Sequence, residues 1–240
     1  MLQTIKKIIP NTLTSCNLIA GCIATFHAFT GNVGIALLWI VIGAAFDFFD
    51  GMSARLLHVS SPIGKELDSL ADDITFGLAP AAIVGFELTM VHYPAFLMPV
   101  SDYIPFAAFV MAAFSALRLA KFNLDERQSM GFIGLPTPAN ALFWGSFILG
   151  WRDQLESSPW ALPLLLVLIL LSCYLLIAEI PMFALKFKHW GWAENQLKYI
   201  FILCCIPILL VCGVAGISLI IVWYILVSVY KNFTDKLKQQ

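Results

Sequence analysis

Apolar runs of about 20 residues, separated by short polar or turn-forming breaks, recur along this chain at the length an α-helix needs to cross a hydrocarbon core of about 30 Å. The pattern predicts eight helical spans, near 12–30, 33–56, 62–90, 103–122, 136–151, 160–185, 198–213 and 215–231. The breaks include Thr30-Gly31-Asn32 and the stretch from Arg152 to Pro159. Short segments of alternating hydropathy, which a membrane β-barrel would need, do not occur. The expected fold is therefore all-α, a polytopic membrane helical bundle. Ser61 is placed to cap the third span and Pro62 to open it. The short Leu57–Pro62 connection makes spans two and three antiparallel neighbours. Gly77 and Pro80 predict a bend within span three, because proline removes a backbone donor and crowds the preceding turn.

Composition strengthens the membrane assignment: 60% of the 240 residues are hydrophobic and 12% charged, with a mean hydropathy of +0.86. The basic residues add an orientation. With an even number of spans both termini share one side. Placing them in the cytoplasm puts every lysine and arginine inside except Arg152, one of fourteen. A prokaryotic cell membrane is the expected location. Lys6 and Lys7 stand among Leu2, Ile5, Ile8 and Ile9, so residues 1–10 are expected to lie at the headgroup surface, with Pro10 and Asn11 breaking the chain before span one. The six cysteines show no metal-ligand spacing and are expected to pack as apolar residues. Trp151, Trp160, Trp190, Trp192 and Tyr230 fit interfacial aromatic belts.

Against this background one region is unusually acidic. Six of the fifteen acidic residues fall between positions 47 and 73. Asp47 and Asp50 are three apart, Asp68 and Asp72 four apart, so each pair shares one helical face at about 100° per residue. A mid-membrane carboxylate costs about 2.5–3.5 kcal/mol, and four would cost roughly 10 kcal/mol without compensation. Hard oxygen ligands suit Mg²⁺, Mn²⁺ or Ca²⁺, and two divalent cations would balance four carboxylates. Two ions about 3.5–4 Å apart are also the arrangement that stabilises the entering and leaving oxygens of an in-line displacement at phosphorus. Gly51, Ala54 and Gly64 would let the two helices approach and leave room for a ligand. Arg55, about one turn past Asp50, could bind a phosphate oxygen, pair with Asp50 or anchor the span. Asp73 points about 100° away from Asp72 and is expected to pair elsewhere.

The positions Asp47, Asp50, Gly51, Ala54, Arg55, Gly64, Asp68 and Asp72 reproduce the pattern DxxDGxxAR, eight residues, GxxxDxxxD. This resembles the signature of the CDP-alcohol phosphatidyltransferase family. The resemblance implies a six-helix core, a two-metal site on the second and third helices, and transfer of a phosphatidyl or related group from a CDP-activated donor to an alcohol, with CMP leaving. By that likeness Asp47, Asp50, Asp68 and Asp72 are metal ligands and Asp72 is also the catalytic base. The 240 residues then read as one integral-membrane domain: an interfacial segment over 1–10, the catalytic core over 11–185, and two further helices over 186–240. Those last helices are candidates for a lipid-facing or homodimer surface. Nucleic acid is not an expected partner.

Within the family, the surrounding segments resemble the branch whose acceptor is L-serine and whose donor is CDP-diacylglycerol. They are Pro10-Asn11-Thr12-Leu13-Thr14 with Asn17 and Gly21, the run from Ser60 to Ala81, Ala116 to Asn123, and Gly134-Leu135-Pro136-Thr137-Pro138. Gly51, Ala54, Arg55, Gly64 and Asn17 are then the expected donor contacts, Asn17 having a helix-to-helix hydrogen bond as its alternative. Serine carries a carboxylate, for which Arg118 and Lys121, three apart on one face, are candidate partners, with Asn123 adding a hydrogen bond. Glu179, just before Pro181, is expected at the interface, with a polar lining role as its alternative. Two other readings stay open: the same chemistry on glycerol 3-phosphate or an inositol-type acceptor, and a divalent-cation transporter using the same carboxylates. A phospholipase-type covalent route through paired His-x-Lys segments has no support, since His58-Val59-Ser60 and His189-Trp190-Gly191 lack the lysine.

Overall fold

The first apolar run and the basic segment before it form one helix. In the computed structural model, which describes residues 2–125, 132–183 and 191–237, α1 spans Leu2–Phe29 with Pro10 inside it. The expected break at Pro10 and Asn11 is absent, and the first ten residues are not a separate element. Proline removes one ladder bond, whereas breaking the helix at a membrane surface would free several more backbone groups. α2 follows over Val33–Leu56.

Ser61 caps α3, Pro62–Asp72, as expected: its hydroxyl accepts from the Gly64 N–H at 3.0 Å, and Pro62 opens the helix. The rod then continues through a single π-helical stretch, Asp73–Leu78, into α4, Ala79–Met90. There the Ala79 N–H reaches back to the Ile74 carbonyl, five residues earlier. The distortion expected at Gly77 and Pro80 thus takes the form of a widened turn that keeps the rod continuous.

Two 3₁₀ turns, Ala95–Val100 and Ile104–Phe109, precede α5, Val110–Leu124. α6, Thr137–Ser157, runs past its expected end through non-helical angles at Trp151. α7, Ala161–Ile177, stops short of its expected end. Beyond it Pro181–Met182 (β2) pairs antiparallel with Phe132–Ile133 (β1), a two-stranded ribbon the hydropathy pattern did not indicate. Gly134 follows β1 with a φ of +76°, and a Cβ there would lie 2.7 Å from the Leu176 carbonyl oxygen, so glycine is required on two counts. α8, Trp192–Cys212, and α9, Ala215–Leu237, complete the chain.

Among the described residues, six helical stretches are long and apolar enough to cross a membrane: Lys6–Phe29, Val33–Leu56, Pro62–Met90, Ile104–Leu124, Asn195–Cys212 and Ala215–Thr234. α7 is apolar but has only 17 residues, and α6 carries Arg152, Asp153 and Glu156 near its end. The protein is an integral membrane helical bundle.

Small residues set the packing. Ala20, Ala24 and Ala28 recur at four-residue spacing on α1 and are at most 1% exposed, letting α2 and α4 approach closely where helix association depends on van der Waals contact. Trp144 of α6 is fully buried and its indole N–H donates to the Ser172 hydroxyl of α7 at 3.0 Å. α9 lies along α6, where a Cβ at Gly150 would come within 2.7 Å of the Ala215 Cα. It is also tied to the ribbon, since Asn232 donates to the Pro181 carbonyl at 2.7 Å and Tyr224 to the Phe183 carbonyl at 3.0 Å.

Candidate active site

The two acidic faces meet. Asp47 and Asp50 come from the end of α2, Asp68 from α3, and one carboxylate oxygen of each lies within 4.8 Å of the others. Asp72, one turn further along α3, stands outside this trio but lines the same cavity of about 450 Å³, together with Asp47, Asp50, Asp68, Arg55, Arg118 and Asn123. Asp50 and Asp72 are buried, 6% and 9% exposed. Oδ1 of Asp68 is buried with no hydrogen-bond partner among the described residues. Hard, closely spaced oxygens with one left unsatisfied suit a divalent cation.

The helix that carries none of these acids holds two of them. Thr14 of α1 donates to Asp50 Oδ2 at 2.5 Å, and Asn17 donates through Nδ2 to Asp72 Oδ1 at 3.0 Å. Positions 14 and 17 share one face of α1, so a single helix reaches one carboxylate on each acidic helix. Asn17 was an expected donor contact. It is instead fully buried and lines neither cavity described here.

A second cavity, of about 350 Å³, adjoins the first. Gly51, Ala54 and Gly64 line it with Lys7, Asn11, Ser61 and Lys65. A Cβ on Gly64 would lie 3.0 Å from Asn11 Oδ1 and from Ser61 Oγ, so the glycine keeps this wall open. Asp50, Gly51 and Asp68 belong to both cavities. Asp50 and Asp68 thus stand where two spaces of different character meet. One is floored by small residues, the other contains Asp72 and Arg118.

Arg55 is exposed and extends over Gly51, with its guanidinium near the spot where a Cβ would project. Arg118 is 6% exposed, its Nε lacks a hydrogen-bond partner among the described residues, and its Nη1 reaches Thr137 Oγ1 only at 3.4 Å. Lys121 lies beyond, in an adjoining cavity of about 350 Å³ that Arg118 and Glu179 also line. Asn123 is engaged in holding α5 to α3: Nδ2 donates to Ser69 Oγ at 2.7 Å and its carbonyl accepts from Lys65 Nζ at 2.8 Å. Asp73 turns away from the cluster toward Ser115 on α5. Arg127, Lys186, Lys188, His189, Trp190 and Lys238 lie outside the described residues.

Thr14, Lys7 and Ser69 lie in segments named from the sequence, but no role at the site was assigned to them. Thr14 had a legible signal, three residues before Asn17 on the same face. Glu87, fully buried on α4 and 3.6 Å from Arg152, gave no such signal, because a lone acid near a span end is indistinguishable from an interfacial one.

Comparison with known proteins agrees with this geometry. The CDP-alcohol phosphatidyltransferase family model matches residues 7–173. The chain is 38% identical over 130 residues to a CDP-diacylglycerol–serine O-phosphatidyltransferase of Bacillus subtilis, covering 54% of this chain and 69% of that protein. Proteins of the same name in Helicobacter pylori and Saccharomyces cerevisiae are 37% identical over 135 residues and 40% over 115. The matched segments make up 55% and 43% of this chain, and 54% and 37% of the relatives. The aspartate cluster and both cavity walls fall inside the matched region, and the chain belongs to the CDP-alcohol phosphatidyltransferase family.

Proposed function

We propose that this protein transfers the phosphatidyl group of CDP-diacylglycerol to the hydroxyl of L-serine, giving phosphatidylserine and CMP. The observation that carries the reading is the aspartate cluster at the meeting of two cavities, one for each substrate. Its chemistry is supported by the family, and its acceptor by the names of the relatives.

The donor diphosphate would lie against Asp50 and Asp68, with cytidine in the cavity of Gly51, Ala54 and Gly64 and the acyl chains in lipid. Asp47, Asp50 and Asp68, with Asp72, would hold two divalent cations, Mg²⁺ or Mn²⁺. When bound, these neutralise the diphosphate and the charge on departing CMP. Arg118 receives the serine carboxylate through its unfilled guanidinium donors, with Lys121 attracting the anion from the adjoining cavity. Asp72 accepts the serine hydroxyl proton as that oxygen attacks the β-phosphorus. One phosphorus–oxygen bond forms and the bond to CMP breaks. Arg55, beside Gly51, is placed to meet a phosphate oxygen.

The site and both termini would face the cytoplasm. Lys7, Arg55, Lys65, Arg118 and Lys121 line cavities at the acidic end of the bundle, whereas Arg152 contacts Gly31 in the α1–α2 turn at the opposite end. A phosphorylated acceptor would call for more cations beside Asp72 than Arg118 and Arg55.

The direct test is CMP release from CDP-diacylglycerol by purified protein with Mn²⁺ or Mg²⁺, comparing serine, glycerol 3-phosphate, inositol and no acceptor. Release should depend on serine and cease with EDTA. Release that responds to another alcohol would refute the acceptor. Asp72→Asn should lower turnover by about 10² to 10⁴-fold while leaving the protein folded; near-normal turnover would remove Asp72 as the base.

A further inference from the structure

We infer that Asn17 is a positioning residue for Asp72 and that Thr75 holds Asn17 in place, an inference that rests on the reading of Asp72 as the base. Asn17 is fully buried on α1, and its one side-chain hydrogen bond goes to Asp72 Oδ1. Its own Oδ1 has no partner among the described residues. Only the amide NH₂ can donate to a carboxylate, so the orientation of the group is fixed by chemistry. An amide serving only to join helices gains most with both ends paired. Here one end goes unpaired and the other is given to Asp72.

The surroundings hold this arrangement rigid. Thr75 lies three residues after Asp72, inside the π-helical turn, and its hydroxyl donates to the main-chain carbonyl of Asn17 at 3.0 Å, tying the α1 backbone at that position to the turn. Glycines from two helices clear the space: a Cβ on Gly43 would lie 2.9 Å from Asn17 Oδ1, and one on Gly21 would lie 2.8 Å from the Thr75 Cα. A carboxylate rotates easily about its last torsion, where preferences are broad. Holding Oδ1 from behind fixes the plane of the group and leaves the other oxygen for the cavity that Asp72 lines. Asn17 itself touches no substrate space.

The test uses the full chain in detergent or nanodiscs. Asn17→Leu should lower kcat for serine-dependent CMP release by about 10 to 100-fold, the range of supporting hydrogen-bond partners at metal sites. KM for CDP-diacylglycerol and for serine should stay within about threefold, as expected for an interaction used in the transition state. Mn²⁺ binding measured by electron paramagnetic resonance should persist at the Asp47, Asp50 and Asp68 trio and weaken at most where Asp72 contributes. A kcat near wild type or a loss carried by donor KM overturns the inference. If Asn17→Leu does not give monodisperse protein, Thr75→Ser and Thr75→Val decide: the inference requires the hydroxyl variant to retain kcat and the isosteric valine to lose it, and equal rates refute it. A wild-type chain with no serine-dependent release overturns the functional reading and this inference with it, whereas an active wild type with an indifferent Asn17→Leu overturns this inference alone.

Discussion

Arg118 combines burial with incomplete satisfaction: 6% exposed, Nε without a partner among the described residues, and its guanidinium 5.6 Å from the Phe122 ring centre. Desolvating a guanidinium is costly; a neutral hydroxyl at 3.4 Å compensates little of it, and the charge of Asp72 in the same cavity offsets only part. An anionic ligand group would restore the balance. Arg118→Ala should therefore raise KM for serine by about 10 to 100-fold, from the 1.5–3 kcal/mol of a hydrogen bond to a charged group. KM for CDP-diacylglycerol should move far less, and an unchanged serine dependence in steady-state kinetics would reject the role. Asn123 gives the opposite lesson. Its sequence position beside Lys121 suggests a substrate contact, and it does line the cavity of Asp72 and Arg118, but its amide also donates to Ser69, a partner 54 residues away that spacing cannot show.

The third span shows how one element serves two needs. Its first half must hold Asp68 and Asp72 toward the site, and its second half must bury Ala79, Ala81, Ala82 and Ile83 in the core. The π-helical stretch between them shifts the register of the two faces without breaking the rod. Pro80 made a distortion legible in advance, but its form depended on what packs around it, chiefly Gly21, Gly43 and Ser115. Gly21→Ala tests that packing. The new methyl would meet Thr75 main chain at 2.8–2.9 Å, and overpacking of this kind costs about 1–3 kcal/mol. The thermal midpoint in detergent should fall and turnover should fall with it; a variant as stable as wild type would show that α1 and the π turn can separate freely.

Across the whole molecule, charge is divided between two ends. The acidic cluster and most of the described basic residues gather at one, and at the other Arg152 joins Glu87 at 3.6 Å, Glu156 at 2.8 Å and the Gly31 carbonyl at 3.0 Å. This clamp ties α4, α6 and the α1–α2 turn together. Arg152→Met would strand the fully buried Glu87 carboxylate. Loss of a fully buried pair costs roughly 3–5 kcal/mol, and because Arg152 is 28% exposed about 1–3 kcal/mol is the better expectation. Unfolding in detergent should occur at lower temperature, and Glu87→Gln added to that variant should recover part of the loss. No recovery would mean that Arg152 acts through Gly31 and Glu156 alone.

Hydropathy and spacing were enough to establish a helical membrane protein, the α2–α3 hairpin with its Ser61 cap, and the two aspartate faces. Each follows from local periodicity or from a fixed interval within one helix, and such information is contained in the order of residues. Only the tertiary structure decided what faces each acid: Thr14 on Asp50, Asn17 on Asp72, and two cavities that meet at Asp50 and Asp68. It also decided that α1 begins at Leu2, that α7 ends at Ile177 in a two-stranded ribbon, and that Glu87 is buried against Arg152. Those outcomes depend on which helix packs beside which. In lipid that choice rests on close van der Waals fit and on pairing polar groups across helices, summed over residues far apart in the chain.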